Sequence, residues 1–336
     1  MNIEKDLARN GIANPHKINI KDKLYVCRSI SKLLSNKIEF LSNSSKEIMM
    51  RLYSSDIYYA EIDEKYKGVF YYYKTNTLYL DRNFIFKDGY DEIIINSNLI
   101  HEIIHILQNY SEIKNKNKQI GICRFDDLKI FMFALNEAFI EYYSLKCSGK
   151  RHKRIKSEEI SIYGMEDNSY KYLTSLTNEL IYLLGEEKIQ NSLFNSNDIF
   201  ENDFFNHFED NGYYIVESFE YIFKNSNNLN LVLKRYIEVQ KVIYQTYFEK
   251  NIRRLKTIEQ VDDEVEKLEE FANILGITKY NIEENEFEIF KQEMEAKLLK
   301  RYAYISNKNS TNSLVLVNNN LFSKIKNRIN MIRFRT

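Results

Sequence analysis

The spacing of apolar residues along the chain predicts a mostly helical protein. Over residues 25–59 apolar side chains recur every three or four positions, which is typical of two amphipathic helices. The same spacing predicts helices over 91–110, 126–147, 170–184, 229–250, 253–275 and 284–304. Gly185 follows the third of these segments, at the kind of position where glycines commonly end helices.

Two short segments break the helical pattern and predict a β-hairpin. Residues 68–74 and 77–80 are rich in aromatic and β-branched side chains, with a Lys-Thr-Asn turn between them. One Pro and nine Gly in 336 residues leave few obligatory breaks, which favours long helices. The pattern therefore predicts an α+β fold that is predominantly helical and contains a small sheet.

Composition and charge exclude several classes of protein. Hydrophobic residues at 44% and aromatic residues at 14% are too abundant for a disordered chain. The 48 Lys and Arg balance the 48 Asp and Glu, so the net charge predicts no nucleic-acid partner and no anionic membrane surface. Cys27, Cys123 and Cys147 are scattered and odd in number, which fits a reducing compartment better than a disulfide framework.

No secretory or membrane-spanning segment is predicted. Residues 1–19 mix charged and isolated apolar side chains, without the apolar run of a Sec signal. No run of about 18 uncharged apolar residues, the length of a spanning helix, occurs in the sequence. We therefore expect a cytoplasmic protein, although export by a dedicated machine or release on lysis would leave the same pattern. The oligomeric state is not indicated.

The C-terminal residues 321–336 carry five cationic side chains and no acidic one. Two interpretations are open: an arm that binds nucleic acid or membrane, and a solvated tail or terminal helix face. The second is the better supported, because charge runs of this kind usually face solvent.

Two of the five histidines occur in the segment His101-Glu102-Ile103-Ile104-His105, within the most strongly helical part of the chain. This HExxH pattern is expected by chance roughly 0.01 times in a chain of this composition. Residues four apart on an α-helix differ by about 40° in direction and about 6 Å in height, so both imidazoles can reach one ion. Glu102 lies beside that face, where it can bond a water without binding the metal.

The alternative for this segment is a pair of buried core histidines. This alternative buries two imidazoles and a carboxylate among Ile and Leu side chains. Each such group without a hydrogen-bond partner lowers the free energy of unfolding by about 1–3 kcal/mol or more. A metal site is therefore the better interpretation. Imidazole and carboxylate ligands with one open position suit Zn²⁺, and Co²⁺ or Mn²⁺ could substitute for it in vitro.

A third protein ligand is expected on a later helix. The longer pattern HExxHxxGxxH, which is typical of metzincins, is absent because Gln108 and Ser111 occupy its Gly and His positions. The sequence therefore does not indicate a metzincin. Further along, Glu137 and Glu141 of the segment 136–143 are four apart and point the same way on a predicted helix. HExxH followed by this NExxxE segment resembles the thermolysin-like gluzincin metallopeptidases, locally, over about residues 68–185.

The resemblance implies roles for the two glutamates and for the hairpin. Glu137 would be the third zinc ligand, and Glu141 would accept the free N–H of His101 and fix its tautomer. Glu141 as the ligand, and a solvated helix face for Glu137, remain the alternatives. In the zincin fold the strand before the active-site helix binds extended peptide, a role that falls to residues 77–80 or 69–73.

The HEIIH segment is also similar to the HELIH of clostridial neurotoxin light chains, whose third ligand is likewise a distant Glu. Arg301 and Tyr304 reproduce an Arg-x-x-Tyr spacing. For a donor that stabilises the oxyanion, the first candidate is Tyr170, whose Tyr-x-Tyr context is similar to the segment after the zinc Glu in gluzincin-like proteins. Other candidates are His152, Tyr163, Tyr172 and His207.

The expected organisation is an N-terminal segment (1–19), a zincin-like catalytic domain with a small sheet (20–190), a C-terminal helical lobe (191–310) and a basic tail (311–336). The expected activity is hydrolysis of a peptide or protein substrate by a zinc metallopeptidase with Glu102 as general base. Two alternatives are a host-directed toxin or effector peptidase with one protein substrate, and a non-catalytic helical binding protein with a degenerate metal site.

Overall fold

The fold is α+β and predominantly helical, as the apolar spacing predicts. The computed structural model describes residues 3–39, 44–66, 68–82, 94–115, 119–126, 129–157, 160–166, 170–275 and 282–310. The predicted basic tail over 311–336 lies outside these residues.

The N-terminal part combines helices with a four-stranded sheet. In chain order its elements are α1 (Ile3–Arg9), β1 (Ile12–Lys17), α2 (Ile20–Lys37), α3 (Ser45–Ser54), β2 (Asp56–Ile62), β3 (Val69–Tyr72) and β4 (Thr77–Asp81). The strand order is β1-β2-β4-β3, with β2 parallel to β4 and the two outer pairs antiparallel. Strand β4 is therefore internal, and β3 forms an edge among the strands that the structure describes.

The predicted hairpin is confirmed, since β3 and β4 pair in register from Val69 opposite Leu80 to Tyr72 opposite Thr77. Asn76 closes the turn in the left-handed backbone region, with φ at 50°. Asparagine adopts this region more readily than most residues do. The prediction of helix up to residue 59 is wrong at its end, because residues 56–62 form β2 between β1 and β4.

The helix that carries the HExxH segment is α4 (Ser97–Asn115). It begins later than predicted because the Asn96 side-chain oxygen accepts the N–H groups of Asn98 and Leu99, as an N-cap does. Ile95 precedes the helix and is exposed, and residues 91–93 lie outside the described part of the chain. Among the described side chains of α4, the buried apolar ones are Leu99, Ile100, Ile103, Ile104, Ile106 and Leu107.

A small sheet replaces the first part of the helix predicted over 126–147. Strands β5 (Gln119–Ile120), β6 (Cys123–Asp126) and β7 (Lys129–Phe131) pair antiparallel. Helix α5 (Phe133–Cys147) follows, after Met132, whose backbone is left-handed with φ at 61°. A residue other than glycine costs roughly 1–2 kcal/mol in this conformation. Neighbouring contacts must therefore hold the start of α5.

The rest of the described chain is a hairpin followed by helices. They are β8 (His152–Ser157), β9 (Ile160–Met165), α6 (Lys171–Leu184), α7 (Glu186–Asn195), α8 (Ile199–Phe208), α9 (Asp210–Lys224), α10 (Leu229–Arg254), α11 (Ile258–Leu275) and α12 (Ile282–Ser310). Gly185 ends α6 as predicted, with φ at 87° and its N–H donated to the Ile181 carbonyl at 2.9 Å. No helix among the described residues has both the length and the apolarity to cross a membrane.

One hydrophobic cluster extends from Ile18 to Ile305, through both the predicted catalytic domain and the predicted lobe. Helix α4 packs against β3, α3, α5 and α7 within it. The boundary predicted at residue 190 falls inside α7 (Glu186–Asn195). The division into a catalytic domain and a C-terminal lobe stays a prediction.

Candidate metal centre

His101 and His105 lie on one face of α4, with ring centroids 5.0 Å apart. Their side chains are 14% and 22% exposed, on a helix whose Ile and Leu side chains from Leu99 to Leu107 are buried. The two imidazoles therefore occupy the part of α4 that solvent can reach.

Glu137, on α5, lies between the two imidazoles. One carboxylate oxygen is 3.4 Å from Nε2 of His101, and the other is 3.5 Å from Nε2 of His105. The ligand atoms of the three residues all lie within 4.8 Å of one another. Around a tetrahedral Zn²⁺ with bonds of about 2.0–2.1 Å, ligand atoms are about 3.3 Å apart. The donor set of two nitrogens and one oxygen therefore fits this ion in number, type and spacing.

Glu141 follows Glu137 by one turn of α5 and contacts the opposite side of the His101 ring. Its Oε2 lies 3.2 Å from Nδ1 of His101. A carboxylate on the second ring nitrogen holds an imidazole in one tautomer and orientation, as it does behind many metal-bound histidines. Among the described contacts, Glu137 reaches both imidazoles and Glu141 reaches one.

The charges of the centre favour a bound cation. Burial acts to lower the pKa of His101, but hydrogen bonds to Glu137 and Glu141 outweigh burial and raise that pKa to about 10. Burial acts to raise the pKa of Glu137, and the positive charges of His105 and His101 hold that pKa well below its usual range. The carboxylates thus stabilise positive charge at the point between the two imidazoles.

Glu102 lies next to His101 on α4 and faces strand β3. Burial raises the pKa of its carboxyl group, while the two histidines and the backbone N–H of Tyr71 act in the opposite direction. A carboxyl group with a raised pKa beside a cation site is suited to take up and release a proton.

Tyr170 is the N-cap residue of α6, near enough to the centre for its carboxylates to act on the phenol. Burial raises the pKa of its hydroxyl group, and the carboxylates of Glu137, Glu141 and Glu102 raise it further. The three carboxylates of the centre therefore all act on the hydroxyl group of Tyr170. Its ring stacks on Phe223 of α9, with centroids 5.5 Å apart and planes 25° apart.

The other candidate donors have partners elsewhere. His152 stacks on Tyr163 with centroids 5.4 Å apart, and Tyr172 is buried. His207 stacks on Tyr247 at 5.6 Å and its Nδ1 lies 2.9 Å from a backbone carbonyl of its own helix. Tyr170 therefore remains the first candidate.

Arg301 and Tyr304, the Arg-x-x-Tyr pair, lie on α12, which packs against α10 and α11. Arg301 donates to the Leu255 carbonyl through Nε at 2.8 Å, and its guanidinium lies over the Tyr304 ring at 5.3 Å. These described contacts connect the pair to α10 and not to the metal centre.

A buried polar network joins the two helices that bear the histidines and Glu137. Gln108 of α4 donates to Oδ1 of Asn136 at 3.1 Å, and the Ile122 N–H donates to the same oxygen at 3.2 Å. At Gly121, where φ is +60°, an added Cβ would lie 2.3 Å from both side chains, so the network requires glycine there. Asn136 therefore joins α4 to the start of α5, and the sequence pattern predicted no such role for Gln108.

Glu220 and Phe223 of α9 were also missed. Glu220 accepts the Ala134 N–H near the start of α5, and Phe223 packs on Tyr170. One signal was present: the segment Met132-Phe133-Ala134 has no Ser, Thr, Asp or Asn to cap the helix. The absence of a capping residue in this segment indicates that another part of the chain accepts the free N–H groups, but it does not indicate which residue does so.

Comparison with known proteins assigns no family to the chain. No protein-family model, curated protein or solved structure matches it. The chemistry of the centre must therefore be inferred from its own residues.

Proposed function

We propose that the protein is a zinc-dependent metallopeptidase of the gluzincin type, which hydrolyses peptide bonds. The observation that carries this proposal is the cluster of His101, His105 and Glu137, whose ligand atoms lie within 4.8 Å of one another on two neighbouring helices. The position of Glu102 beside the cluster, and of Glu141 on the far nitrogen of His101, supports it further.

His101, His105 and Glu137 would hold the metal. A bound Zn²⁺ would lower the pKa of a coordinated water toward about 7 and polarise the carbonyl group of the substrate. Glu102 takes the proton of the attacking water and passes it to the nitrogen of the leaving amine. Glu141 keeps His101 in the tautomer that presents Nε2 to the centre. Tyr170 donates a hydrogen bond to the developing oxyanion.

The substrate would be an extended segment of a peptide or protein, bound along β3. Strand β4 is paired on both sides, so of the two predicted peptide-binding strands β3 is the one at a sheet edge. Tyr71 of β3 directs its backbone N–H to Glu102, so this edge faces the metal centre. A peptide could add to such an edge through main-chain hydrogen bonds.

Zinc analysis and cleavage profiling test the proposal together. The purified protein should contain one tightly bound zinc per chain. Incubated with a cell proteome, it should generate new peptide termini that Glu102→Gln does not. Many cleaved substrates indicate a general peptidase, and a single one indicates a toxin or effector peptidase. No bound zinc and identical profiles for both proteins would contradict the proposal and favour a non-catalytic binding protein.

Tyr170→Phe is expected to lower kcat and kcat/KM together by about 10²- to 10³-fold, with zinc content and KM little changed. The reason is that an oxyanion donor acts only in the transition state. Phe keeps the stacking on Phe223, so the melting temperature should change little. Tyr182→Phe is the control, because Tyr182 lies on the same helix and its hydroxyl group bonds to Glu270 at 2.9 Å, so kcat should equal that of the wild type. An unchanged kcat in Tyr170→Phe would remove Tyr170 from the mechanism.

A further inference from the structure

The helix that carries Glu137 and Glu141 has no N-terminal cap of its own. The N-cap residue of α5 is Met132, which has a left-handed backbone and makes no side-chain cap hydrogen bond. Ser, Thr, Asn and Asp are strongly preferred at this position, because their side-chain oxygen accepts the N–H of the second or third helical residue. Here Ala134 is the second helical residue, and it donates its N–H to Oε1 of Glu220 at 2.8 Å.

Glu220 reaches this position from α9, 86 residues further along the chain. Its side chain is 22% exposed, and its other oxygen lies 3.8 Å from the Lys224 ammonium group. A carboxylate at a helix N-terminus also interacts favourably with the helix dipole. Glu220 therefore supplies both the acceptor and the charge that the start of α5 lacks.

Helix α9 also packs on Tyr170 and on the start of α5 through Phe223. Phe223, one turn after Glu220, stacks on Tyr170 and meets Phe133 edge-on, with centroids 5.6 Å apart. Phe133 is the first residue of α5 and precedes Glu137 by one turn. Helix α9 thus contacts the first turn of α5 through both a hydrogen bond and an aromatic ring.

We propose that Glu220 is a positioning residue of the metal centre, an inference that rests on the proposed zinc function. Helix ends fray, and Glu137 lies only three residues after Ala134. By holding the Ala134 N–H, Glu220 keeps the first turn of α5 formed against the unfavourable backbone of Met132. The Glu137 carboxylate then stays at the distance from His101 and His105 that zinc requires.

Zinc affinity, measured by competition with a chelator, tests this role in Glu220→Ala and Glu220→Gln. Loss of a cap corresponds to an affinity loss of between about 2- and 30-fold when binding requires the capped turn. We expect such a loss in Glu220→Ala and a substantial rescue in Glu220→Gln, whose amide oxygen can still accept the N–H. Glu217→Ala is the matched control, since Glu217 lies on the same helix and is exposed. It should bind zinc like the wild type.

The absorption spectrum of the Co²⁺-substituted protein gives a second readout, because it reports the ligand geometry. It should change in Glu220→Ala and be restored in Glu220→Gln. Wild-type zinc affinity and an unaltered cobalt spectrum in Glu220→Ala would overturn the inference and leave the proposed function standing. Equal losses in both Glu220 variants would overturn the cap as the cause. If the wild type itself bound no zinc, the proposed function would fail, and this inference with it.

Discussion

Replacing His101 or His105 by alanine is expected to weaken zinc binding by about 10²- to 10³-fold. Zinc sites of four ligands bind with about 10–16 kcal/mol, so one ligand corresponds to about 2.5–4 kcal/mol, at about 1.4 kcal/mol for each factor of ten. Nε2 of His101 and Nε2 of His105 lie 3.4 and 3.5 Å from different oxygens of Glu137. Each histidine therefore occupies its own ligand position, and the remaining one cannot fill the position that is lost. Both side chains are partly exposed, and alanine favours helix, so α4 should remain folded.

Glu102→Gln is the matched control on the same helix. It keeps the size of the side chain and removes only the base, so zinc should remain while hydrolysis falls by about 10²- to 10⁴-fold. Metal analysis after gel filtration and turnover of a cleaved peptide provide the two measurements. Zinc loss in Glu102→Gln, together with zinc retention in both histidine variants, would contradict the assigned roles.

Glu137→Ala is expected to weaken zinc binding more than Glu141→Ala does. The first variant removes an oxygen that lies between the two imidazoles, which by the same estimate costs about 10²- to 10³-fold. The second removes a partner of His101 Nδ1 at 3.2 Å, a loss of about 10- to 100-fold for groups that orient a ligand. Competitive chelator titration of both variants measures the order.

Glu141→Gln separates orientation from charge at this position. Its amide oxygen can still accept the His101 N–H, so zinc affinity should lie between those of the wild type and Glu141→Ala. Equal losses in Glu137→Ala and Glu141→Ala, or the reverse order, would assign the metal ligand to Glu141.

The sequence by itself determined the helical character of the chain, the β3–β4 hairpin and the helix positions of the candidate ligands. Each of these features depends on residues close together in the chain. Two histidines four apart share a helix face whatever surrounds them, and the same holds for Glu137 and Glu141. The helix ends that were misplaced, at residues 56–59 and at 126 and 129–131, belong to strands whose spacing looks helical until their partner strands are known.

Only the tertiary structure decided which groups meet across the fold. The approach of α4 to α5, with Glu137 between the imidazoles and Gln108 bonded to Asn136, depends on packing between helices that the sequence pattern does not specify. The same is true of β3 as the sheet edge and of Glu220 at the start of α5. The physical reason is that periodicity specifies which face of an element is buried, whereas the partner of that face depends on how all the elements pack together.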